Sequence, residues 1–303
     1  MRCRDNAVFS EVSFTAASIF AHGCEHTAYW IPYSTLIPPK MPTTPFRRPQ
    51  ICLFGDSITQ FSFQTGGWGA ALASEYQRHA DVVLRGYSGY NTRWALSLLP
   101  ALFPADCPAA QTPALVTVFL GANDANHPAP LMLQSAEASR QHIPVGEYTA
   151  NLLTIVRAIR RMGDGSARVL LLTPPPVDHA AWHAKCARVY GLDPKADPNR
   201  LYDVTKEYAA AALAAAAAEN VAVCDVHGAF DSLADWQSLL EDGLHPNARG
   251  NAVIAEAVLE AIRTHFPDLA PSSLQMDWPD HKAVDASDPA STFVGWRAGG
   301  QGQ

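Results

Sequence analysis

From residue 50 onward the chain alternates short, almost wholly apolar runs with longer segments whose apolar positions recur every three or four residues. The runs lie at 51–54, 82–84, 115–120, 169–172 and 221–224. Between them, 67–79 puts Trp68, Leu72 and Tyr76 on one side of a helix, and 92–103 does the same with Trp94, Leu98 and Leu102. Segment 145–162 aligns Tyr148, Leu152, Ile155 and Ile159, 201–219 is alanine-rich, and 248–266 follows Asn247, a suitable cap. Apolar strands alternating with amphipathic helices predict parallel strands joined by helical crossovers, an α/β fold of the three-layer α/β/α sandwich type with a flavodoxin-like central sheet. Strands buried on both faces should read as uniformly apolar, as these do.

In such sheets the site forms at the carboxyl ends of the strands. Ser57, Gly89 and Asn123 each fall just past an apolar run, so three polar elements are expected to converge on one edge. Near the other end of the chain, Asp242 stands three residues before His245. A serine hydroxyl is a poor nucleophile until a base takes its proton and a carboxylate orients that base. Ser57, His245 and Asp242 are therefore candidates for an acyl-transfer triad, and the Asn123 amide for a donor to the developing oxyanion.

Each assignment has a plainer alternative. Ser57 and Asn123 are residue types that also cap helices and turns, and Asp124 could serve beside Asn123. Asp56, next to Ser57, is expected to bond local backbone N–H groups. Trp68 is expected to pack, whereas Tyr90 could also line a pocket. His179 and His183 are four apart with Asp178 and Cys186 nearby, a spacing that could share a metal on a helix. No second ligand cluster accompanies them and three prolines precede them, so they read as surface or lid residues and no metal is expected. His227 also follows a strand, but it lacks the Asp-x-x-His spacing.

Four blocks in order match a known family: Gly55-Asp56-Ser57-Ile58-Thr59, Arg85-Gly86-Tyr87-Ser88-Gly89-Tyr90-Asn91-Thr92, Gly121-Ala122-Asn123-Asp124 and Asp242-Gly243-Leu244-His245-Pro246. Over about 50–266 the chain resembles the SGNH (GDSL-type) hydrolases, and the second block is most similar to the isoamyl acetate-hydrolysing esterase branch. The resemblance implies Ser57 as nucleophile, His245 as general base and Asp242 as its orienting carboxylate. It also implies an oxyanion hole from the Ser57 and Gly89 N–H groups and the Asn123 amide. Asp56, Tyr90, Asn91 and His127, beside these blocks in the chain, are candidates for lining a substrate pocket. The implied activity is hydrolysis of a small, short-chain ester through an acyl-enzyme, without cofactor and with a small-molecule ester as the partner. Acyl transfer to an alcohol, action on sugar acetates, lipids or thioesters, and a silent binding protein are the alternatives. Activity should rise as His245 loses its proton.

Composition narrows the setting. The 303 residues suffice for one large α/β domain, here 49–268, with an extension at 1–48 and a polar tail at 269–303 that is expected to carry little order. A net charge of −7 disfavours nucleic acid as a partner, and no apolar stretch could span a bilayer. The 6 cysteines are scattered without a Cys-x-x-Cys pair, and no Asn-x-Ser/Thr acceptor occurs. Reduced thiols and an intracellular, cytoplasmic protein are the expectation, with homo-oligomerisation open. Residues 1–40 carry Arg2 and Arg4 but no clean targeting core, and translation from Met41 is an alternative start.

Overall fold

In the computed structural model, which describes residues 47–126 and 140–299, the apolar runs form one five-stranded parallel sheet of order β2-β1-β3-β4-β5. The strands are β1 (Gln50–Gly55), β2 (Asp81–Gly86), β3 (Leu115–Phe119), β4 (Arg168–Leu172) and β5 (Ala222–Cys224). β1 lies inside the sheet, paired with β2 on one side and with β3, the middle strand, on the other. Alternation along each strand divides the core into two layers. Ile51, Leu53, Leu115, Phe119, Leu170 and Leu172 belong to one apolar cluster, and Cys52, Phe54, Val116, Val118, Val169 and Leu171 to the other.

Helices cover both faces, as a parallel sheet requires. The first cluster is closed by α2 (Trp68–Glu75), α6 (His179–Tyr190), α8 (Val226–Asp231) and α9 (Ala248–His265). The second is closed by α3 (Thr92–Leu96), α4 (Leu99–Leu102), α5 (Val145–Arg160) and α7 (Tyr202–Glu219). α1 (Ser57–Gln60) is a single turn directly after β1. The three-layer sandwich expected from the sequence is thus the observed architecture.

Three departures have physical causes. The helix expected over 92–103 is two short ones, α3 and α4, with Pro100 in the first turn of the second. A proline lacks the N–H that a continuous helix would need there. The α6 helix, absent from the alternating pattern of runs and helices, starts after three prolines because Asp178 caps it by accepting from the Ala180 and Ala181 N–H groups, and Gly191 ends it in the left-handed region. The third departure is the segment 269–299, which packs back on the domain. Tyr76 donates to the Leu269 carbonyl at 2.9 Å, and Asp277 accepts from Arg48 and Arg78. A last helix, α10, spans Pro289–Gly299. Residues 1–46 of the expected extension, and His127, lie outside the described residues. Among the described residues, no helix is long and apolar enough to cross a membrane. Cys52, Cys107, Cys186 and Cys224 are free thiols.

Candidate active site

Ser57 occupies the first position of α1, just past the end of β1. Asp56 caps that turn, its Oδ1 accepting the Ile58 N–H at 3.0 Å. At the first helical position the Ser57 N–H has no partner within its own helix. Asp56 is fully enclosed, and burial pushes its carboxyl up to about 6 against the bond from Ile58 and the charges of His245 and Arg200.

His245 arrives from a turn before α9. Its Nε2 stands 3.0 Å from Ser57 Oγ, and its Nδ1 stands 2.8 Å from Asp242 Oδ2. The other oxygen of Asp242 accepts the N–H groups of Leu244 at 2.9 Å and His245 at 2.7 Å, which closes the loop on itself. Gly243 lets this loop sit against α6. Its φ is +87°, its carbonyl accepts the Asp178 N–H at 2.8 Å, and an added Cβ would lie 2.4 Å from the Trp182 nitrogen. The His245 ring is held edge-on between Phe61 and Trp182, at centroid separations of 6.0 and 6.1 Å. Lys185, on α6, also donates to Asp242 Oδ2. Partial burial works to raise the Asp242 carboxyl, but the bond and charge of His245, its backbone N–H and Lys185 outweigh it and hold the group well below the usual carboxylate range.

Gly89 and Asn123 lie on the same sheet edge. Gly89 has φ +81°, and its carbonyl accepts Gln141 Nε2 at 3.0 Å. Asn123 donates through Nδ2 to the Tyr90 carbonyl at 2.9 Å, which ties the loop after β3 to the loop after β2. Two cavities meet at Ser57 and His245. One, of about 660 Å³, is also lined by Gly89, Tyr90, Trp94 and Asn123. The other, of about 900 Å³, is lined by Phe61, Lys185, Arg188 and Asn251. Helix α6 takes part in both, turning Trp182 and Cys186 to the first and Ala181, Ala184 and Lys185 to the second, as a helical period dictates.

The structure therefore brings Ser57, His245, Asp242, Gly89, Asn123 and Tyr90 together. Asp56 and Asn91, expected about the pocket, lie beneath it and line neither cavity. Their side chains are committed to capping: Asn91 Oδ1 accepts the Trp94 N–H at 2.9 Å and its Nδ2 donates to the Gln141 carbonyl. Thr92 and Asp124 form a second buried pair, and burial pushes Asp124 up to about 7 despite the bonds from Thr92. Asn123 rather than Asp124 faces the cavity. His179 is exposed, and His183 Nε2 stands 3.2 Å from the Pro194 carbonyl. Among the described residues, no three His, Cys, Asp or Glu side chains gather as metal ligands. His227 is buried behind the sheet edge against Tyr202, away from both cavities.

Sequence reasoning missed Lys185, Trp182, Gln141 and Arg200. The spacing of Trp182 and Cys186 after a capping Asp178 is a helix signal that could have placed the first two. No motif marks the other two.

Comparison with known proteins places the chain in a family. The model of the GDSL-like lipase/acylhydrolase family matches residues 53–253. An Arabidopsis thaliana GDSL esterase/lipase is 39% identical over 247 residues, covering 81% of this chain and 98% of that protein. The Homo sapiens isoamyl acetate-hydrolyzing esterase 1 homolog is 42% identical over 247 residues, covering 82% and 92%. Among solved structures, a lipase/acylhydrolase from Enterococcus faecalis superposes with a TM-score of 0.53 at 23% identity, covering 76% of this chain and 100% of that one. The acetylxylan esterase Axe2 from Geobacillus stearothermophilus does so with 0.53 at 22%, covering 71% and 94%. These two likenesses are likenesses of fold.

Proposed function

The chain belongs to the GDSL-like lipase/acylhydrolase family and is a carboxylic ester hydrolase, and we propose that it works as a serine esterase on small, short-chain acyl esters. The observation that carries the reading is the unbroken line Asp242–His245–Ser57, with contacts of 2.8 and 3.0 Å. Ser57 Oγ attacks the ester carbonyl while His245 Nε2 takes its proton. The oxyanion is received by the N–H groups of Ser57 and Gly89 and by the Asn123 amide. His245 returns the proton to the leaving alcohol, leaving the acyl group on Ser57. Water then attacks the acyl-enzyme, giving its proton to the same nitrogen. Collapse frees the acid, and Ser57 recovers its proton. Asp242, held ionised by its surroundings, stabilises the imidazolium at each proton transfer. The preference for short acyl groups is supported by the isoamyl acetate-hydrolyzing relatives.

Hydrolysis of p-nitrophenyl acetate, butyrate and octanoate by wild type and Ser57→Ala, with and without EDTA, tests this. Fast acetate turnover that is lost in the variant and indifferent to EDTA is the expected result. Equal rates in the two proteins would exclude Ser57 as nucleophile, and a preference for octanoate would exclude the short-chain assignment.

A further inference from the structure

Arg200 precedes α7 and is almost wholly enclosed, with 4% of its surface exposed. A guanidinium is seldom buried so completely without specific partners. Burial lowers its pKa to about 10, so it still carries its charge at neutral pH. Its partners are acceptors beside Ser57. Nη1 donates to the Ala122 carbonyl, and Nη2 reaches Asn123 Oδ1 at 3.1 Å and, at a longer 3.4 Å, Gln141 Oε1. The group lies 5.3 Å from the centroid of the Trp182 ring, and the Trp182 indole N–H is anchored on Asn199 Oδ1.

An arginine only donates, whereas an asparagine or glutamine amide can face either way. A donor at Asn123 Oδ1 therefore turns Nδ2 outward. One of its hydrogens goes to the Tyr90 carbonyl, and the other is left for a ligand at Ser57. The same logic fixes Gln141. Its Oε1 accepts from Arg200 and from Asn126 Nδ2 at 3.1 Å, so Nε2 is the end that meets the Gly89 carbonyl at 3.0 Å. One cation thus sets the polarity of both amides beside the loops that carry Gly89 and Asn123. Enclosed as it is, the guanidinium also polarises the Asn123 amide, which strengthens the N–H as a donor.

We propose that Arg200 is the positioning residue of the oxyanion hole, orienting Asn123 directly and Gly89 through Gln141. The proposal rests on the reading of Ser57, Gly89 and Asn123 given above. An oriented, polarised donor matters most once charge has developed on the substrate oxygen, so its loss acts on kcat and hardly on KM.

The test is a cycle of Arg200→Met, Asn123→Ala and the double variant, with Arg200→Lys, Gln141→Leu and Ser57→Ala, following p-nitrophenyl acetate turnover and thermal unfolding. Arg200→Met should lower kcat roughly 10- to 100-fold with KM within about threefold, a loss smaller than the roughly 100- to 1,000-fold of removing one hole donor outright, because the donor is still present. Added to Asn123→Ala it should cost less than about threefold more, because the group it orients is already gone. Should Arg200→Met fail to fold, Arg200→Lys and Gln141→Leu decide: each should fold and lose kcat about 3- to 10-fold at unchanged KM, and wild-type kcat in both would overturn the proposal. With Ser57→Ala inactive, equal losses from Arg200→Met in both backgrounds would overturn the role of Arg200 alone. An active Ser57→Ala would overturn the reading of the hole itself.

Discussion

Lys185 and His245 share one oxygen of Asp242: the ammonium of α6 and the ring Nδ1 both bond Oδ2. The carboxylate that orients the histidine is thus partly neutralised by a cation from a helix that no motif identifies. Lys185 is itself about a quarter exposed, so its influence is screened but not lost.

Removing that cation should change the basicity of the site. Without Lys185 the Asp242 charge acts on the imidazolium alone and favours it, so the acid limb of kcat/KM moves to higher pH in Lys185→Met, by up to about one pH unit. Asp242, held far below the carboxylate range, should add no limb of its own. Rate profiles of wild type and variant between pH 5 and 9 measure the displacement, and a limb that stays in place or moves to lower pH contradicts it.

The loop that carries Asp242 and His245 depends on Gly243. In Gly243→Ala the new methyl would meet the Trp182 nitrogen at 2.4 Å and the Asp178 carbonyl at 2.5 Å, at a φ of +87° that L residues rarely adopt. The loop must shift away from α6. We expect a loss of about 10- to 100-fold in kcat and roughly 1–3 kcal/mol in stability. Steady-state kinetics and urea unfolding on the same preparation separate the two effects.

Asp124 makes stability depend on pH. Burial raises its carboxyl to about 7 in the folded chain, above the value of the unfolded chain, so the native state holds the proton more tightly. Its contribution is therefore complete in acid and is lost as pH rises through about 7. Asp56, raised to about 6 by burial, acts in the same sense. The wild-type unfolding temperature should fall between pH 5 and 8, and Asp124→Asn should show a flatter curve. A variant curve as steep as the wild type would assign the slope to other groups.

Asp277 ties the segment after the sheet domain to its beginning. It accepts from Arg48, which enters β1, and from Arg78, which follows α2, and only 9% of its side chain is exposed. Bonds to Arg48 and Arg78 and the nearby positive charge hold its carboxyl low in spite of burial. Asp277→Ala should cost about 1–3 kcal/mol of stability while leaving esterase kinetics at 25 °C intact, since both arginines lie far from Ser57 in the fold. Thermal melting and acetate turnover together check this.

The sequence by itself determined the sheet, the helices of the crossovers and the points where chemistry enters. Strands buried on both faces must be apolar throughout, so 51–54, 115–120 and 169–172 announce themselves, and residues just past them necessarily gather on one edge. The Asp-x-x-His spacing likewise paired Asp242 with His245, because a tight turn is a local object. The tertiary structure decided what depends on distant partners. Asn91 is a cap beneath the pocket rather than its lining, whereas Asp56 bonds a local backbone N–H, as expected from its place beside Ser57. Lys185 and Arg200 joined the site only because α6 and the approach to α7 fold over it, bringing them to Asp242 and Asn123 across 57 and 77 residues of chain. Such pairs have no period or motif, for a hydrogen bond between distant segments constrains geometry and leaves no pattern along the sequence.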